Sequence, residues 1–399
     1  MTEHEYWLFD ADNHYYETPD CFSRHMEKAH ADLAITASQR ADGSWDVRVG
    51  DRPYNFMDVK FDKTNPPGSM YAILRNKDRA TDVSWGDSYS KENMLVAFQR
   101  RDARLALMDD QGIETALLLP TFGASVEHSM VHDVEQTYAN LRSFNRWLEE
   151  EWGYADARII APPLISLLDR DRAVVELDRV MALGARLVHI RPGPIGNGMN
   201  PADPWYDAVW ARLNEARIPV AFHINDSRYE EVSVAWGEDP DPPVREMSAW
   251  QWAFVHGDRP IMETLGALIY GNVFGRFPEL RVLSIENGSD WLKPLFKTID
   301  KAAALGRRGP MIGGKLPARP SEALAQHLWV SPFPEDDVTA LIGAIGAGHV
   351  LFGSDYPHPE GLREPLDYVP RLADYDAAVT RKVLRGNTAA LLGLPDAVG

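Results

Sequence analysis

The feature that most constrains the fold of this 399-residue chain is an alternation of short apolar runs with helix-like segments. The runs have the length of strands, and their nearly continuous apolar character is typical of strands covered on both faces in a parallel sheet. They read WLFDADNH (7–14), IETALLLP (113–120), ARIIAPPLISL (157–167), ARLVHIRP (185–192), IPVAFHI (218–224), LRVLSIE (280–286), HLWVSPF (327–333) and HVLFGSDY (349–356). Apolar residues at helical spacing fill residues 134–152, 172–184, 205–216, 291–306 and 336–348.

Eight strands that alternate with helices predict an α/β fold, a distorted (β/α)8 TIM barrel, as a single domain over residues 1–399. An open doubly wound sheet is the alternative, but the sequence has neither G-x-G-x-x-G nor G-x-x-x-x-G-K-[ST] to support a nucleotide-binding sheet of that kind. Residues 40–100 break the alternation, being polar and rich in Asp, Gly, Pro and aromatic residues. We expect an insertion after the first strand, near the barrel mouth; a surface excursion is the alternative.

Composition and charge restrict the partners. Hydrophobic residues make up 45% and charged residues 25% of the chain, which is typical of a globular protein. The net charge of −18 disfavours nucleic acid and anionic membranes as partners, and no apolar run is long enough to span a bilayer. The N-terminus lacks the pattern of a signal peptide, and a single cysteine, Cys21, fits a reducing compartment. We therefore expect a cytoplasmic homodimer that acts on a small molecule.

Polar residues collect where the predicted strands end, while the strand interiors are apolar. In a (β/α)8 barrel the active site lies at the C-terminal ends of the strands. A random distribution would place ionisable groups at both ends, so this clustering predicts a site at one rim. The residues are Asp12, His14, Thr121, Ser166, His189, Arg191, His223, Glu286, Ser331, Asp355 and His358.

Four of these residues form a possible metal site. Asp12 and His14 are two apart and point to the same face of a strand, and zinc takes His nitrogen and Asp oxygen at about 2.0–2.2 Å. Strands 5 and 8 add His223 and Asp355, which completes a ligand set for one divalent cation; we expect zinc, with manganese as the alternative. The alternatives are a salt-linked pair for the first two residues, a hydrogen-bonded core histidine for His223 and a helix cap for Asp355.

These stretches also carry a family resemblance. FDADNHYYE, PWYDAVWARLNEARIPVAFHI, NVFGRFPELRVLSIENGSDWL and VLFGSDYPHPEG resemble the amidohydrolase superfamily, in the branch that includes aminocarboxymuconate-semialdehyde decarboxylase and similar nonoxidative decarboxylases. The likeness runs from about residue 7 to 395 and is weakest over 40–100. It implies that Asp12 and His14 are the strand-1 metal pair, that His223 is the strand-5 ligand and that Asp355 is the strand-8 ligand or base.

The sequence departs from the family pattern at two positions. Asp12 stands where many relatives have the first histidine of H-x-H, and a carboxylate there shifts the preference from zinc toward harder ions such as Mn²⁺. Glu286 stands where decarboxylases of the branch carry a catalytic histidine. A glutamate serves as general base only if its pKa lies near the working pH. The alternative for Glu286 is to orient a histidine that binds the metal.

Other candidates surround the predicted centre. Arg191 is suited to hold a substrate carboxylate through its guanidinium, with a surface salt bridge as the alternative. His189 and His358 are candidate substrate contacts. His256 lies on a predicted helix near strand 6 as a candidate catalytic residue, with a partly exposed helix histidine as the alternative.

The sequence thus predicts a metal-dependent hydrolase acting on a small, aromatic or carboxylated substrate. A bound metal lowers the pKa of water and polarises the substrate. Asp355 would accept the proton from that water or bind the metal, and Glu286 or His256 would deliver a proton to the leaving group. Nonoxidative decarboxylation of an aromatic or enoic acid is the alternative reaction. A metal-free barrel that binds a small molecule without turnover is the alternative of a different class.

Overall fold

The computed structural model describes residues 7–70, 92–227 and 229–394; the part of the predicted insertion at 71–91 lies outside the described residues. The strands are Leu8–Tyr15 (β1), Ile35–Gln39 (β2), Trp45–Val49 (β3), Arg52–Pro53 (β4), Lys63–Thr64 (β5), Glu92–Asn93 (β6), Ile113–Pro120 (β7), Ile159–Ile160 (β8), Val188–His189 (β9), Val220–His223 (β10), Val282–Ile285 (β11) and Leu328–Ser331 (β12). The α-helices are Arg101–Gln111 (α1), Val134–Glu151 (α2), Arg170–Ala182 (α3), Asp207–Ala216 (α4), Glu230–Ala235 (α5), Ala249–Gln251 (α6), Arg259–Tyr270 (α7), Val273–Arg276 (α8), Leu292–Leu305 (α9), Pro320–His327 (α10), Val338–Ile345 (α11), Ala377–Arg381 (α12) and Asn387–Leu392 (α13).

The parallel strands close into a barrel. They pair in the order β1-β7-β8 and β9-β10-β11-β12, and a parallel bridge between Leu164 and His189 joins the two groups. The segment 350–356 closes the ring, because Val350 pairs with Val330 of β12 and Tyr356 with Asn13 of β1. The predicted (β/α)8 barrel is therefore confirmed, and the open sheet is excluded.

Apolar side chains fill the barrel interior below the site. The inward-facing cluster includes Leu117 and Leu119 of β7, Leu283 and Ile285 of β11, and Leu351. A larger cluster lies between the strands and the surrounding helices. This division explains the apolar runs in the sequence, since each barrel strand packs on both of its faces.

Helix positions follow local sequence signals. The carboxylates of Asp133, Asp169 and Asp337 each accept a hydrogen bond from the backbone N–H three residues on, at the start of α2, α3 and α11. Such N-caps satisfy a backbone donor that the helix leaves without a partner. These helices and α4 and α9 lie within three residues of the predicted bounds at each end.

The described part of the predicted insertion packs on the barrel. Its antiparallel sheet β2-β3-β4 begins at Ile35, before the predicted boundary, and buries Ile35, Val47 and Val49 in the outer core. Further along, the backbone N–H of Met70 donates to the carbonyl of Pro359, in the loop after the eighth barrel segment. Apolar residues spaced by two explain why this stretch folds onto the barrel.

Among residues 7–70, 92–227 and 229–394, the structure contains no helix with both the length and the apolar character needed to cross a membrane.

Candidate metal centre and active site

Four ionisable groups that the sequence predicted on three different strands meet at the C-terminal mouth of the barrel. Asp12 and His14 lie on β1, His223 ends β10, and Glu286 directly follows β11. One ligand atom from each lies within 4.8 Å of the others, and all four residues are buried. Parallel strands end at the same rim, so residues far apart in sequence come together there.

The distances inside this group suit a common cation. The Nε2 atom of His14 lies 3.2 Å from Asp12 Oδ1. It also lies 3.5 Å from Oδ1 of Asp355, which forms a second possible metal-binding group with His14, Glu286 and His358. The same His14 nitrogen lies 3.4 Å from His223 Nε2 and 3.4 Å from Glu286 Oε2. Neighbouring ligands that each lie about 2.1 Å from one ion are separated by about 3.0–3.4 Å. The nitrogen and carboxylate donors present therefore fit a divalent metal.

A bulge in β1 positions the Asp12 carboxylate. Asp10 pairs with Ala116 of β7 and Asn13 with Leu118, so β1 has one extra residue between them. Bulges redirect side chains and are common beside active sites. The side chains of Asp12 and His14 both reach the cluster, although the pairing register between β1 and β7 is irregular at this point.

Electrostatics couple the groups of the cluster. Burial would lower the pKa of His14, but the Asp12 and Glu286 carboxylates outweigh it and raise this pKa to about 9. Burial would raise the pKa of Glu286, but His223 and His14 hold it below its ordinary value. Burial and the charge of Glu286 raise the pKa of Asp355 well above its ordinary value. Several negative charges share this small space, and a cation among them would offset their repulsion.

His358 contacts Asp355 and His14. Its Nδ1 atom lies 2.8 Å from Asp355 Oδ1, and its Nε2 atom lies 2.9 Å from Thr121 Oγ1. Its ring stacks on that of His14 with 3.9 Å between centroids. Both ring nitrogens of His358 thus have protein partners. The predicted contact between His358 and a substrate would therefore use the edge of the imidazole ring or require these hydrogen bonds to break.

Asp10 and Arg104 support the site and were not predicted from the sequence. Asp10 accepts hydrogen bonds from Ser354 Oγ at 2.5 Å and from Asn13 Nδ2 at 3.0 Å, which ties β1 to the eighth segment. The buried Arg104 of α1 donates to Asn13 Oδ1 and to the carbonyl of His14. Alternating acidic residues in FDADNH were a signal for Asp10, while Arg104 lies on a helix with no distinguishing motif.

Glu360 is a second carboxylate that sequence reasoning missed. Burial and the charge of Glu286 raise its pKa to about 7. Its position in PHPEG, five residues after Asp355, was a signal that it could approach the site.

His256 is buried at the end of a π-helical turn, Trp252–His256. Burial lowers its pKa to about 4, although the Glu286 carboxylate opposes this shift. Its ring packs against Trp252, with centroids 4.8 Å apart, and lies 5.9 Å from the ring of Phe56. The backbone of Phe56 also accepts a hydrogen bond from the N–H of Val244, so the insertion meets the loop that carries His256. These contacts account for the burial of His256. Its catalytic role stays a prediction.

Arg191 and His189 lie beyond the cluster. Arg191 Nη2 donates to the carbonyls of Pro194 and Ile195, at 2.5 and 3.1 Å. The cavity beside Arg191 has a volume of about 10 Å³, room for about one water molecule. The ring of His189 lies 6.3 Å from that of His223, and burial lowers its pKa to about 3. Binding of a substrate by either residue stays a prediction.

Fold and site together define a (β/α)8 barrel with a candidate metal centre at its mouth. A family model described as amidohydrolase matches residues 11–394, and the chain belongs to this amidohydrolase family. Membership confirms the predicted resemblance and the prediction that the chain is an enzyme.

Individual relatives agree with this assignment. An amidohydrolase (map2389c) from Mycobacterium avium subsp. paratuberculosis K-10 is similar over 98% of this chain and 100% of that chain, with 37% identity and a TM-score of 0.89. A 5-carboxyvanillate decarboxylase from Novosphingobium aromaticivorans DSM 12444, complexed with manganese and 4-hydroxy-3-methoxy-5-nitrobenzoic acid, shares the fold over 99% of this chain and 98% of its own, with 16% identity and a TM-score of 0.63.

A 2-amino-3-carboxymuconate-6-semialdehyde decarboxylase from Dictyostelium discoideum is 27% identical over 131 residues, which are 32% of this chain. The match spans 35% of the length of that curated relative.

Proposed function

We propose that this protein is a metal-dependent hydrolase that acts on a small aromatic or carboxylated substrate through activated water. The observation that carries the proposal is the meeting of Asp12, His14, His223, Glu286 and Asp355 at the barrel mouth, with the His14 Nε2 atom within 3.5 Å of each of the other four. Such donor sets bind divalent metals.

Asp12, His14, His223 and Asp355 would hold the cation. When bound, a divalent cation lowers the pKa of water toward 7 and polarises a substrate oxygen. Two carboxylates among these four ligands shift the preference from zinc toward manganese. The manganese in the solved 5-carboxyvanillate decarboxylase supports this choice.

Asp355 is the group that we assign to remove the proton from water. His358 Nδ1 engages its Oδ1 atom at 2.8 Å, so Oδ2 is the proposed acceptor. The same contact orients the carboxylate, because His358 is held in turn by Thr121. A carboxylate fixed in this way acts as a general base without first having to be reoriented.

His256 is the group that we assign to protonate the leaving group. Burial keeps its imidazole neutral at pH 7, so the proton that it donates would be the one that Asp355 removes from water, and an imidazolium with a pKa near 4 gives that proton up readily. Trp252 and Phe56 pack beside it and limit access of bulk water. Glu286, the other predicted donor, instead points its Oε2 atom at His14 and His223.

Nonoxidative decarboxylation is the second candidate, and the relatives favour it. The Dictyostelium and Novosphingobium proteins are both named as decarboxylases. In that reaction His256 would first take up a proton from solvent and then pass it to the carbon that loses CO₂. The glutamate at position 286, in place of the histidine expected for such decarboxylases, favours hydrolysis.

The experiment that tests the proposal is a substrate panel offered to the protein loaded with Mn²⁺ or Zn²⁺. Aromatic esters, amides and lactones report hydrolysis, and aromatic and enoic acids report CO₂ release. We expect hydrolysis that depends on added metal and is strongly slowed in Asp355→Asn. Metal-dependent CO₂ release without hydrolysis would overturn the hydrolase in favour of the decarboxylase.

A further inference from the structure

We propose that Glu286 is itself a ligand of the cation, so that five side chains rather than four bind it. This inference rests on the metal binding proposed above. The ligand set that the family resemblance implies comprises Asp12, His14, His223 and Asp355 and does not include Glu286. The juxtaposition of Glu286 Oε2 with both histidine Nε2 atoms points to the added ligand.

The tautomer of His223 indicates a positive charge beside Glu286. Its Nδ1 atom lies 2.7 Å from the carbonyl oxygen of Ile224, and a carbonyl only accepts hydrogen bonds, so Nδ1 carries a proton. The Nε2 atom of neutral His223 then presents a lone pair. Glu286 Oε2 faces that lone pair at 2.7 Å. Two electron-rich atoms at this distance require a positive charge between or beside them, either a proton or a metal ion.

The distances around Glu286 also suit a metal ligand. Glu286 Oε2 lies 2.7 Å from His223 Nε2 and 3.4 Å from His14 Nε2, close to the spacing of neighbouring ligands on a common ion. Asp12 Oδ1 lies 4.0 Å from His223 Nε2. The ligand atoms of Asp12, His14, His223 and Glu286 all lie within 4.8 Å of one another, so Asp12 and Glu286 would both reach a cation held by the two histidines.

Glu286 is also buried. It is 8% exposed, and its Oε2 atom faces His223 Nε2 at 2.7 Å and His14 Nε2 at 3.4 Å. A buried carboxylate is costly unless a positive charge compensates it. A cation beside His14 and His223 supplies that compensation.

The added ligand strengthens the preference of the centre for a harder metal. Three carboxylates and two imidazoles make five donors, whereas zinc in proteins is most often bound by four. Oxygen-rich sets with five or more donors suit Mn²⁺. Glu286 thus selects a harder cation with a higher coordination number, and it is unavailable as the proton donor.

The test compares Glu286→Gln with Glu360→Gln. Both variants replace a carboxyl group near the site with an amide, but Glu360 is not among the five proposed ligands; because its pKa is raised to about 7, the comparison is made at pH 8, where both carboxyl groups are ionised. We expect Glu286→Gln to weaken Mn²⁺ binding at least about 100-fold, more than the loss typical of residues that only support a ligand. In the Co²⁺-loaded protein, we expect the visible absorption to intensify as the coordination number falls. Thermal unfolding confirms that each variant is folded.

A second variant, Glu286→His, keeps a donor but makes it softer. We expect it to retain metal binding and to raise the affinity for Zn²⁺ relative to Mn²⁺. If Glu286→Gln weakens Mn²⁺ binding no more than Glu360→Gln and leaves the Co²⁺ spectrum unchanged, the fifth ligand is refuted while the metal centre stands. If the unmodified protein binds neither Mn²⁺ nor Co²⁺, the proposed function itself is overturned.

Discussion

At the end of the eighth barrel segment, Asp355 combines a buried carboxylate with a left-handed backbone, φ 53°. Left-handed conformations are costly for most residues, but Asp and Asn tolerate them. Glu286 has the same conformation at the end of β11, φ 55°. Strained backbone at two converging carboxylates is consistent with a functional site.

Asp355→Asn should slow catalysis strongly without unfolding the protein. The amide keeps the size and the backbone preference of aspartate but cannot accept the proton, and general bases typically contribute about 10²–10⁴-fold to a rate. We expect kcat to fall by about that factor, with the thermal midpoint within a few degrees of that of the original protein. Full turnover in the folded variant would refute the assigned role.

His256 should make the protein less stable in acid. Its pKa is about 4 when folded, against an ordinary value of 6.5, so between these values the unfolded state binds more protons. Its contribution to stability is complete above pH 6.5 and is lost as the pH falls toward 4. We expect this histidine to account for about 2 kcal/mol of the free energy of unfolding lost between pH 7 and 5.

Urea unfolding of the original protein and of His256→Gln at pH 7, 6 and 5 measures this contribution. The variant should show a shallower pH dependence by about 2 kcal/mol over that range. Parallel curves for the two proteins would show that His256 is not buried in its neutral form.

At the scale of elements, the seam between β1 and the eighth segment determines the site. The N–H of Asp355 donates to the carbonyl of Asp12 at 2.7 Å, and Asp10 accepts from Ser354. Gly353 lies at the tightest point of this seam. A Cβ atom added there would lie 2.2 Å from Ser331 Oγ and 2.6 Å from the Cβ atom of Asp12.

Gly353→Ala should therefore lower both stability and metal affinity, because the added methyl group displaces Asp12. We expect a loss of about 1–3 kcal/mol in the free energy of unfolding, as for overpacked cores, and weaker Mn²⁺ binding by calorimetry. Gly343→Ala in α11 is the matched control, since nothing lies within 4 Å of its added Cβ atom. The control should gain up to about 1 kcal/mol. Equal effects in the two variants would contradict this role of the seam.

The barrel strands show which features of the site the sequence patterns predicted and which they did not. Strands β1, β7 and β10 were predicted because their apolar runs are continuous, and the ends of these runs correctly located Asp12, His14 and His223 at one rim. The bulge in β1 was not predictable, since it depends on pairing with β7 and on the contact with Ser354. Residue spacing within one strand does not reveal a bulge, because a bulge is defined by how two strands pair.

For the whole molecule, metal should control stability. A cation that binds only the folded state stabilises it by about 2.7 kcal/mol at 100 times its dissociation constant. We expect treatment with a chelator to lower the thermal midpoint and added Mn²⁺ to restore it, by several degrees. Less than about 0.1 equivalent of transition metal in the purified protein, with no rise in midpoint on adding Mn²⁺ or Zn²⁺, would favour the metal-free binding barrel.

The sequence by itself determined the barrel, the rim and most of the residues that meet there. The reason is that the hydrophobic pattern of a strand and its burial can be read from a short stretch of sequence. A strand covered on both faces must be apolar, so polar residues concentrate at its end. Only the tertiary structure decided that Glu286 points at His14 and His223 and that Asp10 joins β1 to the eighth segment. These contacts depend on side-chain directions across the closed ring, which no linear spacing encodes.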